Sequence, residues 1–211
     1  MKKLIINADD FCLSPVYNLA ILELLKARNA TSTSVMINRY TEQQRSDVDE
    51  LIGIPDISIG LHIEFSGERD FLEELEERFD KFTEVFGQEP SHLDLHRSDF
   101  LEKGYPVLMK FCIQKGLSYR NHGFPSGSAS LTTTHEAISG TSESLDSIIR
   151  SILTFKEGDS GEVLFHPGHY DAHSISSLNY EREVDVLKAR LFATFCRENN
   201  IDLVSYKNLI M

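Results

Sequence analysis

No stretch of the 211-residue sequence approaches the roughly 20 consecutive apolar residues that a membrane span requires. The N-terminal run from Leu4 to Ala8, led by Lys2 and Lys3, is too short for a signal-peptide core and ends in two acids. Cysteine is sparse: Cys12, Cys112 and Cys196 lie far apart and are odd in number, which argues against a disulfide framework and fits a reducing cytosol. A cytoplasmic protein without a membrane partner is therefore expected. Positive charge is also short, with 21 Lys and Arg against 33 Asp and Glu and a net charge of −12. That balance argues against nucleic acid, whose binding rests on cations that neutralise phosphates. The sequence has no Gly-x-Gly-x-x-Gly, no phosphate-binding loop and no Gly-x-Ser-x-Gly elbow. It also has no repeat, low-complexity tract or dividing linker, so residues 1–211 are expected to form a single domain.

What is present is a core and an alternation. Hydrophobic residues make up 41% of the chain and Phe occurs 13 times, enough to fill a sizeable core without cross-links. Residues 3–7 form an apolar run of the kind found in buried parallel strands. Ser14-Pro15 supplies an N-cap with proline at the first helical position, which predicts a helix to about Arg28. Further strands are expected at residues 33–37, 57–62, 92–95, 117–120, 162–165 and 202–205. Helices are expected at 41–52, 106–115, 144–155 and 179–199. Acids concentrate between residues 68 and 84, where Phe71, Leu72, Leu75, Phe79, Phe82 and Phe86 recur at helical spacing. This reads as an amphipathic helix with a solvated acidic face, ended by Gly87, and carries no chemistry. Strand–helix alternation repeated about seven times implies an α/β fold with a parallel sheet, closed or nearly closed into a barrel. An open doubly wound sheet satisfies the same alternation. Residues 121–140, rich in Gly, Ser and Thr, read either as a functional lid or mobile segment or as a disordered stretch.

The placement of acids and imidazoles is more informative than any one of them. Asp9 and Asp10 follow the first expected strand, His62 closes the third, His96 follows the fourth and His166 follows the strand ending at Phe165. Parallel α/β folds gather ligands beyond the carboxyl ends of their strands, so these groups converge on one rim. A paired Asp after a strand is often only a capping loop, and a lone His at a strand end is often a structural hydrogen-bonding group. Together they make a different proposition. Two His and one carboxylate form a three-ligand metal site that leaves positions open for water and substrate. The second Asp and the remaining His would then share proton transfers, a set suited to hydrolysis of an amide or ester. The turn His166-Pro167-Gly168 would hold His166 at the rim. His92 and Asp94 read as structural strand residues. His169, Asp171 and His173 are placed to contact substrate, His122 and His135 fall in the irregular stretch, and Glu64 shares a face with His62. Cys12 lies near the site and reads as a small buried side chain.

The segments Asn7-Ala8-Asp9-Asp10-Phe11, Thr31-Ser32-Thr33-Ser34-Val35-Met36-Ile37-Asn38, Gly60-Leu61-His62, His92-Leu93-Asp94-x-His96 and His166-Pro167-Gly168 occur in this order. Together the set resembles the YdjC-like carbohydrate deacetylases, which include the chitooligosaccharide deacetylases, and the resemblance runs through essentially the whole chain. It implies a distorted (β/α) barrel of about seven parallel strands, commonly dimeric, holding one divalent metal ion such as Mg or Zn. Carried over by position, Asp10, His62 and His96 are the metal ligands, Asp9 the general base and His166 the general acid that protonates the leaving amine. Arg120 either orients Asp9 or binds substrate.

Three positions depart from the family pattern. Cys12 stands where glycine is usual, Arg97-Ser98-Asp99-Phe100 replaces a histidine-rich run, and Glu64 replaces an asparagine. Tryptophan is absent, so sugar stacking falls to Tyr or Phe, such as Tyr170 or Tyr180. The expected activity is removal of the N-acetyl group from a small acetylated sugar or oligosaccharide. The alternatives are hydrolysis of another small amide or ester, and a non-catalytic sugar-binding protein that retains the metal site.

Overall fold

The computed structural model describes residues 1–96, 100–123, 134, 136–174 and 176–209. Strand β1 (Lys3–Phe11) is central and almost wholly buried, as its unbroken apolar start requires. It is followed by α1 (Pro15–Lys26), β2 (Ser32–Val35), α2 (Arg45–Ile52), β3 (Ser58–Ile63), α3 (Phe71–Phe86), β4 (His92–Leu95) and α4 (Leu101–Lys115). The second half adds β5 (Ser118–Tyr119), β6 (Glu136–Ser139), α5 (Leu145–Thr154), β7 (Ser160–Phe165), α6 (Arg182–Glu198) and β8 (Asp202–Leu203). Every pairing is parallel. The strand order is β5-β4-β3-β2-β1-β7-β6, with β8 added beside the start of β1. Among the described residues the outer strands β5 and β6 do not meet, so the sheet curls into a half-barrel. The expected α/β barrel class holds, in this open form.

Several local expectations are corrected. Strand β1 does not stop at Asn7 but runs to Phe11, so Asp9 and Asp10 are strand residues. Its pairing with β2 shifts register between Ala8 and Phe11, and Asp10 and Cys12 take positive φ of 73° and 74°. A regular strand sends neighbouring side chains to opposite faces; this bulge lets both carboxylates reach one side. The position of Cys12 explains why glycine suits it. Its left-handed backbone is held by Asn18 Oδ1, which accepts from Cys12 N–H at 2.8 Å, and by Gln44, which donates to its carbonyl at 3.1 Å.

Helix α3 begins at Phe71 because Asp70 caps it, accepting from Leu72 and Glu73 N–H, and Gly87 ends it at φ 67°. Its acidic face is not uniformly solvated: Glu74 is buried, taking Ser66 N–H and hydroxyl bonds and pairing with Arg78. Leu72, expected on the apolar face, is exposed. Helix α4 starts five residues before Pro106, which is accommodated inside the helix although it offers no N–H to the preceding turn. Strand β6 was not expected, because it sits within the stretch read as irregular. Residues 124–133 and His135 of that stretch, and Arg97-Ser98-Asp99, lie outside the described residues.

Candidate active site

Residues from the carboxyl ends of five strands meet above the half-barrel. Asp9 and Asp10 come from the bulged end of β1, His62 from β3, His96 from just past β4, Arg120 from just past β5 and His166 from just past β7. Backbone bonds prolong the sheet to place two of them. His96 N–H donates to Ile63 O at 2.9 Å, and Arg120 N–H to Leu93 O at 3.0 Å.

Asp10, His62 and His96 present one donor atom each to a common point. Asp10 Oδ1 lies 3.4 Å from His62 Nε2 and 3.3 Å from His96 Nδ1, and the two nitrogens are 3.1 Å apart. This is the only group of its kind among the described residues. A tetrahedral ion with bonds of about 2.1 Å spaces its ligands by about 3.4 Å, so the triangle fits one divalent cation. Asp10 Oδ1 is moreover buried without a hydrogen-bond donor. Two of the three outer atoms are anchored: His62 Nδ1 on Asp94, and Asp10 Oδ2 on Arg182 at 2.7 Å. An imidazole whose Nδ1–H is given to a carboxylate turns its Nε2 lone pair to the ion.

Charge supports the same reading. Burial alone raises the carboxyls of Asp9, Asp10 and Asp94. Arg120 and His62 outweigh it at Asp9 and Asp94, while the His62 and His96 imidazoles, with Arg182 beyond, do so at Asp10. Three carboxylates held ionised face two guanidiniums, Arg120 and Arg182, and the balance calls for a further cation. Burial opposes charging of His62, but Asp94 and Asp9 prevail and push it up to about 10.

Asp9 and His166 stand beside the triangle. Arg120 grips Asp9 with two bonds, NH1 to Oδ2 at 2.8 Å and NH2 to Oδ1 at 2.7 Å, and its Nε donates to Glu162 at 3.0 Å. Arg120 is itself buried, so of its two expected roles the structure supports the positioning of Asp9 and not substrate contact. His166 Nε2 is 3.9 Å from Asp9 Oδ2. Its Nδ1 meets Thr141 Oγ1 at 2.8 Å, and Asp185 accepts both the Thr141 hydroxyl and, at 2.9 Å, the His166 backbone N–H. Because Thr141 gives its one proton to Asp185, the His166 Nδ1 facing it carries hydrogen, and Nε2 is left to the site.

The site opens into a cavity of about 660 Å³ lined by Asp10, His96, His166 and Arg182 at its base. Glu64 lines it too, clamped by Asn38 at 2.7 Å and by both Nε and NH2 of Arg39 at 3.0 Å. Asp171 and His173 belong to the wall, as expected. Other expectations are corrected. Tyr170 is absent from the described lining; its ring packs on Tyr180 on the outer surface, centroids 5.2 Å apart. His169 turns to Glu23 at 3.7 Å. His122 accepts the Leu95 N–H, a structural role.

Sequence reasoning missed four partners: Asp94, Thr141, Arg182 and Asp185. Asp94 was legible in principle, since the strand period places His92, Asp94 and His96 on one face. Arg182 and Asp185 lie on the inward face of α6, where they look like ordinary charges of an amphipathic helix.

Comparison with known proteins falls in line with this geometry. The overall fold is shared with a provisionally assigned cellobiose-phosphate cleavage protein from Enterococcus faecalis V583, at a TM-score of 0.73 and 21% identity, covering 100% of this chain and 99% of that one. In sequence, the YdjC-like protein family model matches residues 3–78, the stretch that carries Asp9, Asp10 and His62. Carbohydrate deacetylase 2 of Listeria innocua is 25% identical, with 98% of each chain aligned. The chitooligosaccharide deacetylase of Klebsiella pneumoniae is 24% identical, with 99% of each aligned. The resemblance drawn from the ordered motifs is thereby upheld.

Proposed function

We propose that this protein is a metal-dependent deacetylase that hydrolyses the N-acetyl group of a small acetylated amino sugar, giving acetate and a free amine. The observation that carries this reading is the opposition of an ionised carboxylate, Asp9, and an imidazole, His166, beside a three-donor triangle at the base of a cavity. The names of the full-length relatives supply the sugar and the acetyl group.

Asp10, His62 and His96 would hold the divalent cation, which supplies Lewis acidity toward the acetyl carbonyl and acidifies water. Two nitrogens and one oxygen suit zinc, manganese or cobalt, and the resemblance keeps magnesium in the set. Asp9 accepts the proton of the attacking water, kept in place by its two bonds from Arg120. Water oxygen adds to the carbonyl carbon, the carbon–nitrogen bond breaks, and His166, as the imidazolium with a proton on each nitrogen, gives its Nε2 proton to the leaving nitrogen. Arg182 fixes Asp10 through the oxygen turned away from the triangle. The opposed acid and base, each with its own positioning partners, weigh against a sugar-binding protein that has lost its chemistry. We place the whole chain, residues 1–211, in one domain acting in a reducing cytoplasm, in keeping with three free, buried cysteines.

The test is acetate release from N-acetylglucosamine and its short oligomers by protein reconstituted with each metal in turn. Turnover that requires metal is expected. Sugar binding without acetate release under every metal would overturn the proposal.

A further inference from the structure

A short 3-10 turn, Tyr206–Asn208, follows β8 at the amino ends of the strands, opposite the candidate site. Val204 N–H donates to Leu4 O at 2.9 Å and Lys207 N–H to Ser58 Oγ at 3.1 Å, so the turn runs from the start of β1 to the start of β3. Tyr206 is wholly buried there, its ring stacked on the His92 imidazole with centroids 3.8 Å apart and planes at 10°. Gly60 makes the room, because a Cβ at that position would overlap the His92 ring. The Tyr206 hydroxyl donates to Glu162 Oε2. Glu162 is buried on β7, and its Oε1 accepts Arg120 Nε at 3.0 Å and lies 2.9 Å from Arg120 NH2. Arg120 in turn holds both oxygens of Asp9. A buried tyrosine needs some acceptor, and a backbone carbonyl would serve. This one ends on the carboxylate that shares a guanidinium with Asp9.

We propose that Tyr206 and Glu162 are positioning residues that set Asp9 through Arg120, a role that rests on the reading of Asp9 as the base. A guanidinium is a rigid plane with donors along its edges. Arg120 meets Asp9 with its NH1–NH2 edge and Glu162 with its Nε–NH2 edge. Held at two edges the plane is fixed; held at one it can swing about its stem. The direction of that swing matters, because a third carboxylate competes. Asp94 Oδ2 lies 3.1 Å from Arg120 NH2 and belongs with the metal ligand His62. Glu162 is the counterweight that keeps the guanidinium square to Asp9. Tyr206 in turn keeps Glu162 charged and in place. Without the hydroxyl, Glu162 Oε2 is a buried oxygen with no donor. Burial raises the Glu162 carboxyl, and the charge and bonds of Arg120, with the bond from Tyr206, work against it. Loss of the hydroxyl therefore moves Glu162 toward the neutral acid, which accepts less strongly from Arg120.

Two conservative variants test the link. Tyr206→Phe deletes one oxygen and keeps the ring on His92, and Glu162→Gln keeps the shape and an acceptor but not the charge. Each should lower kcat by about tenfold, with KM and bound metal unchanged. The double variant should lose no more than Glu162→Gln alone, since the hydroxyl acts only through that carboxylate. In an Asp9→Asn background Tyr206→Phe should cost nothing further. A second readout needs neither metal nor substrate. The Arg120 Nε–H signal in nitrogen-15 magnetic resonance, assigned by its loss in Arg120→Lys, should exchange slowly with water in the wild type. In Tyr206→Phe that exchange should be about tenfold faster or more. Absence of turnover with every metal would defeat the proposed function by itself, while the Arg120 exchange still decides the link. Wild-type kcat in Tyr206→Phe, or unchanged Arg120 exchange, would overturn the inference. So would losses that add in the double variant or persist beside Asp9→Asn. If Tyr206→Phe instead weakens metal binding, the tyrosine acts through His92 and Asp94 on His62, and the inference fails.

Discussion

His166 Nε2 lies 3.9 Å from Asp9 Oδ2, while His166 Nδ1 is held by Thr141 and both Asp9 oxygens are held by Arg120. The two groups assigned to proton transfer thus face each other, and each is fixed from behind by a residue that cannot reach the substrate. Asp9→Asn keeps the shape and one acceptor but cannot take a proton. Its kcat should fall by roughly two to four orders of magnitude, with the content of bound metal unchanged by elemental analysis. Near-normal turnover in that variant would return the role of base to another group.

The Thr141 hydroxyl bridges His166 Nδ1 and Asp185 and touches no donor of the metal triangle, so its substitution should separate rate from binding. Thr141→Val removes the hydroxyl that links Nδ1 to Asp185, leaves the shape, and should lower kcat by about tenfold or more with KM little changed. Thr141→Ser should recover most of the loss. A valine variant with wild-type kcat would mean that the hydroxyl only packs.

Asp94 bonds His62 Nδ1 and also lies 3.1 Å from Arg120, so it supports ligand and base together. Asp94→Asn should weaken metal affinity by roughly 10- to 100-fold, the usual reach of a residue behind a ligand, whereas His62→Ala should abolish binding. Titration with a metal-sensitive dye measures both. Equal affinity in the Asp94 variant and wild type would remove Asp94 from the site.

The difference between what the chain disclosed and what it withheld has a physical basis. The convergence of the three imidazoles was legible because parallel strands bring their carboxyl ends together, so His62, His96 and His166 needed only correct strand assignment to meet on one rim. The bulge at Asp10 was not legible: a left-handed aspartate looks like any other in sequence, and the apolar run simply ended at Asn7. The role of Cys12 was half visible, since a non-glycine at a glycine position marks a backbone demand without giving its φ. Strand β6 was hidden because Glu136–Ser139 is too short and too mixed to show a period, and gains its structure from pairing with β7. Tyr170 was misplaced for a related reason, because a loop has no period to say which side faces the cavity.

Two buried histidines on either side of Asp94 shift in opposite directions, which should give stability a pH optimum. Burial lowers His92 to about 3, more than Asp94 can offset, whereas Asp94 and Asp9 lift His62 to about 10 against burial. Below pH about 6.5 the unfolded chain binds a proton that native His92 refuses, so stability falls as pH drops toward about 3. Between pH about 6.5 and about 10 native His62 keeps a proton that the unfolded chain has released, so its contribution, complete below 6.5, is lost as pH rises. Each limb is on the order of 5 kcal/mol. Metal-free protein should therefore be most stable near pH 6.5 in urea titrations. A cation held by Asp10, His62 and His96 takes the place of the His62 proton, so metal should flatten the alkaline limb and leave the acid limb as it was. An alkaline limb unmoved by metal would mean that His62 keeps its proton and does not serve as a ligand.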